Sequence, residues 1–208
     1  MTAAMNRLCI YGGSSSGVRP EYAAAAKEMG RACAVRGITV VYGGGNVGLM
    51  GSVADAALAA GGKVIGVIPH SMIAGERAHR GLTQLIAVDS MHERKQRMAD
   101  LADAFVAMPG GIGTLEETAE ILTWLQLGFH FKPVGLLNTA DYYTPLLRFL
   151  QHMRDEQFLR LNHQEQLMVG TQAEELLDSL FAAQRVQDGD LNHCWPQEIS
   201  GTAPGGEK

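Results

Sequence analysis

Ala104-Phe-Val-Ala-Met108, followed by Pro109-Gly110-Gly111-Ile112-Gly113-Thr114-Leu115-Glu116-Glu117, is the stretch that decides the fold. The first run is apolar and of strand length, the glycines make a turn, and the residues beyond it have the spacing of an amphipathic helix. A strand that passes through a glycine turn into a helix presents the unpaired N–H groups of the first helical turn, and the positive end of the helix dipole, at the edge of the sheet. Such an edge favours an anion, and glycine lets the backbone approach it closely. A carboxylate one turn inside the same helix then stands near whatever carries the anion, which points to chemistry on a phosphorylated sugar or nucleotide.

Apolar runs of similar length recur at Leu8-Cys-Ile-Tyr11, Ile38-Thr-Val-Val-Tyr42, Val64-Ile-Gly-Val-Ile68, Leu85-Ile-Ala-Val88 and Val134-Gly-Leu-Leu137, separated by alanine-rich or amphipathic segments. Strands that alternate with helices imply right-handed crossovers and a parallel sheet covered on both faces. The expected fold class is therefore α/β: a Rossmann-like doubly wound parallel sheet flanked by helices, in a single domain over residues 1–184. Ligands of such sheets bind beyond the carboxyl ends of the strands. Glycines collect at those ends, at Gly12-Gly-Ser-Ser-Ser-Gly17, Gly43-Gly-Gly-Asn-Val-Gly48 and Gly110-Gly111. Any one of these loops could serve only a tight turn, but three along one edge suit a nucleotide-sized ligand. Gly43 to Gly48 differs in glycine spacing from the GxGxxG fingerprint and follows the second strand, so NAD is not inferred. After the sixth strand, Tyr142–Met153 and Ala173–Ala183 read as further helices. From about Gln184 the chain turns polar, and residues 185–208 read as a disordered tail.

The composition narrows the partners. A formal net charge of −5 over 208 residues lacks the basic excess that phosphate-backbone binding needs, so nucleic acid is not expected. No apolar run approaches membrane-spanning length, and the N-terminus has no hydrophobic signal core. Cys9, Cys33 and Cys194 are widely spaced and read as reduced thiols of a cytoplasmic protein. His70, His79 and His92 lie on segments that could be surface or cleft, and no metal-ligand spacing is present, so no metal is expected.

Two acid and base positions stand out. Thr114-Leu-Glu-Glu117 reads as a capping box, in which Glu117 would only satisfy a backbone N–H. Projection at 100° per residue nevertheless sets Glu117 between Ile121 and Trp124, whereas Glu116 falls with Glu120 and Thr123 on the polar side. A carboxylate among apolar neighbours is costly unless used or paired, and burial raises its pKa towards the range of a proton acceptor. The second constellation is Ser90-Met-His-Glu-Arg94-Lys95-Gln-Arg97-Met98, where Ser90 and Glu93 read as a capping box. Arg94 and Lys95 project within or beside the stripe of Met91, Met98, Leu101 and Ala102, while Arg97 points away. Arg94 facing Glu117 across the cleft follows as an expectation, for catalysis or as a structural salt bridge.

Pro109-Gly-Gly-Ile-Gly-Thr114-Leu-Glu-Glu117 matches a PGGxGTxxE signature, and Met91-His-Glu-Arg94-Lys95 a companion arginine-lysine motif, of the LOG ("Lonely Guy") family. The chain resembles that family from Cys9-Ile-Tyr-Gly-Gly-Ser-Ser-Ser16 through Tyr42–Gly51 to Lys132–Asn138. The resemblance implies a cytokinin riboside 5′-monophosphate phosphoribohydrolase, which cleaves the N-glycosidic bond of an N6-substituted AMP, and in many members AMP itself, to the base and ribose 5-phosphate. It implies a homodimer whose cleft is completed by the partner subunit, and no cofactor. Similar chains have been called lysine decarboxylases, but no lysine here stands in a recognisable pyridoxal phosphate setting.

Carried onto this sequence, the resemblance makes Arg94 and Glu117 the catalytic pair. Gly110, Gly111, Gly113 and Thr114 become the phosphate cradle, and Lys95, Glu116 and Thr123 further substrate contacts. Ser14, Gly44, Gly45 and Asn46 line the nucleotide cleft. The Pro69–Arg80 connection differs from the plant pattern, in which an acidic residue contacts the ligand, and Glu76 is the candidate replacement. A non-catalytic carrier of a nucleotide or phosphorylated cofactor is the rival reading on the same fold. A carrier needs the glycines but not the Arg94 and Glu117 pair, so the pair favours the enzyme.

Overall fold

A computed structural model describes residues 5–73, 78–159 and 167–189, the last five of these by backbone alone. Seven strands form one wholly parallel sheet: β1 (Arg7–Tyr11), β2 (Thr39–Tyr42), β3 (Val64–Pro69), β4 (Gln84–Val88), β5 (Ala104–Ala107), β6 (Val134–Leu137) and β7 (Leu167–Gly170). Their order is β4-β3-β2-β1-β5-β6-β7. The chain thus builds outward from β1 as far as β4 and then crosses back to lay β5 on the other side of β1. This reversal is the topological switch point of a doubly wound sheet, with Cys9 level with Phe105 and Tyr11 with Ala107.

The expected α/β class and all six expected strands are present. The seventh, β7, is short, and its alternation of one buried with partly exposed residues marks an edge strand.

Side chains of successive strand residues point to opposite faces, and the sheet uses both. Leu8, Ile10, Val40, Tyr42, Val106 and Leu137 pack under the helices α1 (Pro20–Val35), α2 (Gly48–Ala59) and the last helix, α7 (Ala173–Gly189). Cys9, Tyr11, Val41, Val67, Phe105 and Leu136 face α4 (Met91–Leu101), α5 (Ile112–Gln126) and α6 (Thr144–Asp155). A four-residue helix, α3 (His70–Ile73), follows β3. Helix α7 runs to Gly189, across the position where the polar tail was expected to begin, and residues 190–208 lie outside the described residues. Among the described residues no helix is long and apolar enough to cross a membrane.

Helix α4 starts as its sequence indicates. Ser90 is the N-cap and its hydroxyl accepts from the Glu93 N–H (3.1 Å), while the Glu93 carboxylate accepts from the Asp89 N–H (2.8 Å). That start sets the rotational phase of α4: Met98, Ala99 and Ala102 are buried against the sheet, Arg97 is exposed, and Arg94 is turned inward.

Candidate active site

The carboxyl ends of β2, β1 and β5 carry three loops that are bonded to one another. The Gly13 N–H donates to the Pro109 carbonyl (3.0 Å), and the Leu49 N–H to the Gly13 carbonyl (3.0 Å). Gly48 holds a left-handed φ of 64°, and a Cβ on it would stand 2.3 Å from the carbonyl carbon of Ser14, so only glycine lets these loops meet. Ser14 and Asn46 are exposed on the loops, and Asn46 shares a surface depression with Ala78, His79 and Arg80. Gly44 and Gly45 are buried, and their carbonyls accept from the His79 N–H (2.9 Å) and the Tyr42 hydroxyl (2.9 Å). Glu76 lies outside the described residues.

Helix α5 opens directly on this edge. Its N-cap is Gly111, in extended conformation and without a side-chain cap, and the Leu115 N–H makes the first turn's bond to the Gly111 carbonyl (3.1 Å). The N–H groups of Gly111, Ile112, Gly113 and Thr114 are therefore the four that begin the helix without an intrahelical acceptor. A Cβ on Gly111 or Gly113 would meet nothing within 4 Å, so the protein leaves space open beside these two glycines. Because the N-cap is Gly111 and not Thr114, the capping box expected at Thr114-Leu-Glu-Glu117 does not form. Glu117 lies a turn and a half inside the helix, where the backbone has no use for its carboxylate.

Glu117 instead meets Arg94. Its Oε1 is 3.8 Å from Arg94 Nη1, with the two side chains only 11% and 9% exposed. Burial pushes the Glu117 carboxyl up to about 7; the Arg94 guanidinium pulls against that shift and Glu116 adds to it. Arg94 is fixed from two sides, its Nε donating to the Val67 carbonyl (3.2 Å) and its Nη2 to the Gly43 carbonyl (3.4 Å). The guanidinium fits because residue 43 has no side chain: a Cβ there would stand 1.8 Å from Nη2. Met91, expected in the apolar stripe, is 46% exposed at the helix start, with its sulfur 3.7 Å from Arg94 Nη1.

Lys95 and Glu116 engage each other. Lys95 Nζ lies 2.5 Å from Glu116 Oε1 and 3.0 Å from Glu120 Oε1, and these two acids raise its pKa. A Schiff-base lysine needs the opposite, a depressed pKa and an unpaired amine, so this lysine does not suit pyridoxal phosphate. Thr123 is exposed two turns beyond Glu116, with its hydroxyl donating to the Ala119 carbonyl (2.7 Å). The structure thus brings Arg94 to Glu117 and groups Lys95, Glu116 and Glu120 on the neighbouring, more exposed face of α5. Among the described residues no cluster of three or more His, Cys, Asp and Glu side chains could hold a metal ion.

Sequence reasoning missed the support behind the turn. The Tyr142 hydroxyl donates to the Gly110 carbonyl and the Tyr143 hydroxyl to the Met108 carbonyl (2.6 Å). The signal was present: two adjacent phenols follow β6 at the same sheet edge as the glycine loops.

The chain is similar to known proteins. A family model described as "Possible lysine decarboxylase" matches residues 50–180. The "Cytokinin riboside 5'-monophosphate phosphoribohydrolase LOG" of Oryza sativa subsp. japonica is 46% identical over 193 residues, 93% of this chain and 79% of that protein. The cytokinin riboside 5'-monophosphate phosphoribohydrolase of Rhodococcoides fascians is 51% identical over 151 residues, 72% of this chain and 76% of its own length. Among solved structures, the molybdenum cofactor carrier protein of Chlamydomonas reinhardtii superposes with a TM-score of 0.66 at 21% identity, covering 86% of this chain and 98% of the carrier, a likeness of fold alone. With a family model over more than half of its length and phosphoribohydrolases matching 93% and 72% of it, the chain belongs to the LOG family.

Proposed function

We propose that the protein hydrolyses the N-glycosidic bond of cytokinin riboside 5′-monophosphates, N6-substituted AMP and AMP itself, releasing the free base and ribose 5-phosphate. One observation carries this reading. A buried carboxyl held near pH 7 lies against a fixed arginine, on the same helix whose first four N–H groups have no intrahelical acceptor. A phosphate on those N–H groups anchors the sugar, and its binding energy holds C1′ near Glu117, which sits three to six helical rises further on, roughly 5–9 Å along the axis.

Cleavage breaks the bond from C1′ to the purine nitrogen and leaves positive charge on the ribose. Ionised Glu117 stabilises that charge and accepts a proton from the attacking water as its oxygen bonds to C1′. The purine leaves with the bonding pair and takes up a proton, so the water's hydrogens end on the ribose hydroxyl and the base. Arg94, too strong a base to act as a general acid, orients Glu117 and offers charge to the departing purine. Gly110, Gly111, Gly113 and Thr114 form the phosphate cradle; Ser14, Gly44, Gly45 and Asn46 line the cleft; Lys95, Glu116 and Thr123 meet the substrate at its rim.

The working form is a cytoplasmic homodimer, each cleft completed by the partner subunit. The apolar surface left around the site supports a dimer: Ile112, at the first position of α5, is 81% exposed, and Leu115, one turn on, and Met91, at the start of α4, are exposed too. Incubation with isopentenyladenosine monophosphate, AMP and isopentenyladenosine, followed by chromatography for the free base, tests the activity. Base is expected from the monophosphates. Its absence from both, with the nucleotide bound intact, would establish the carrier reading instead, and fast cleavage of the unphosphorylated riboside would remove the cradle's role.

A further inference from the structure

Trans peptide units are planar, so the carbonyl of one residue and the N–H of the next point in opposite directions. Fixing a carbonyl from behind therefore aims the following N–H forward. In the turn between β5 and α5 this happens at successive units. The Gly13 N–H holds the Pro109 carbonyl (3.0 Å) and so orients the Gly110 N–H. The Tyr142 hydroxyl holds the Gly110 carbonyl and so orients the Gly111 N–H, the first of the four donors that open α5. The Tyr143 hydroxyl holds the Met108 carbonyl (2.6 Å), where the strand ends.

The two phenols are in turn held by a strained turn. Ala140 and Asp141 both have left-handed φ values, 51° and 61°, which L side chains rarely adopt, and such strain persists only where the surroundings enforce it. Around the turn, the Asn138 side chain accepts from the Tyr143 N–H (2.6 Å) and the Arg19 guanidinium reaches the Ala140 carbonyl (3.4 Å). Tyr142 packs edge-on against Tyr22 of α1 and against Tyr143, with ring centroids 5.6 Å and 5.1 Å apart. Neither tyrosine has an acid or base role in the reaction, yet both spend their only O–H on the backbone that leads from β5 into α5.

We infer that Tyr142 is a positioning residue for the 5′-phosphate, with Tyr143 behind it: its hydroxyl sets the direction of the Gly111 N–H and so the affinity of the turn for a phosphorylated ligand. The inference rests on the reading that this turn takes a phosphate. Tyr142→Phe removes the oxygen alone and keeps the ring contacts, and Tyr142 is 39% exposed, so the variant keeps its fold.

The measurements are binding of ribose 5-phosphate by calorimetry, and KM and kcat for AMP and for unphosphorylated adenosine, on the wild type and Tyr142→Phe. Loss of one hydrogen bond that orients the donor is expected to weaken ribose 5-phosphate binding and raise the AMP KM about tenfold. The AMP kcat should change much less, and the adenosine kinetics and melting temperature should stay as in the wild type. Equal ribose 5-phosphate affinity in the two proteins would overturn the inference while leaving the phosphate site standing. So would a loss that falls equally on adenosine and AMP. A wild type that does not bind ribose 5-phosphate at all would overturn the phosphate reading and the inference with it.

Discussion

Two opposing effects meet on the carboxyl of Glu117. Desolvation favours the protonated form and the Arg94 guanidinium favours the ionised one, and desolvation is the larger, leaving the group near 7 where the ordinary value is 4.5. The kcat/KM profile should therefore rise through about pH 7 as Glu117 ionises, and Arg94→Gln, which removes the lowering partner, should move that rise to higher pH as well as slow the reaction. An unshifted rise in Arg94→Gln would count against the pairing. The same balance acts on stability. A carboxyl whose folded pKa lies above its unfolded one holds its proton more tightly when folded, so it lowers stability as pH rises from about 4.5 through 7, by on the order of 3 kcal/mol in full. Glu117→Gln mimics the protonated form and escapes that loss. Its melting temperature relative to the wild type should climb by several degrees between pH 5 and pH 8, while turnover falls about 100-fold or more. A variant that is much less stable at every pH yet active would return Glu117 to a structural role.

Helix α5 carries both halves of the proposed site, its first N–H groups and, a turn and a half on, its buried acid. The glycines at its start separate two roles. A Cβ at Gly110 would stand 2.1 Å from the Thr114 hydroxyl, so Gly110 is required by packing, whereas Gly111 and Gly113 face space that the protein itself leaves open. Gly113→Ala is thus expected to keep or gain stability, up to about 1 kcal/mol, because alanine is the better helix former. The same methyl intrudes on a phosphate at the first turn, so the KM for AMP should rise; a rise in stability with unchanged KM would move the phosphate elsewhere. This element also shows how far sequence could lead. Helical projection selected Glu117 over Glu116 and turned Arg94 inward, because periodicity around one axis is written in the chain. The capping reading failed because the helix begins at Ile112, three residues before Thr114 permits as a cap, and the glycines that start it offer no side-chain signal. The mutual pairing of Lys95, Glu116 and Glu120 depends on how α4 and α5 lie against each other, which no local pattern encodes.

At the scale of the whole chain, the strand order places β1 and β5 side by side, and with them every glycine loop the sequence offered. The doubly wound parallel class was legible because alternating strands and helices admit few topologies, but the order of the strands was not. Strand β7 was not, since four residues at a sheet edge, only one of them buried, leave little pattern to read. Exposed aromatic residues occur beyond the site as well, with Phe129 73% and Phe158 84% exposed. Light scattering in solution should give at least twice the 22.3 kDa mass of the chain; a particle of the single-chain mass with full activity would refute the completed cleft.

The guanidinium of Arg94 occupies the volume that residue 43 leaves empty, 51 positions away in the sequence. The two positions therefore behave as one site divided between two elements, free to vary only together. Gly43→Ala in the wild type should be as damaging as the loss of Arg94, yet cost little more in a chain whose Arg94 is already Ala, since the methyl then enters vacant space. Such non-additivity, measured as a double-mutant cycle on stability, is what a shared volume demands. It also forecasts that relatives which have given up this arginine are released from glycine at the end of their second strand.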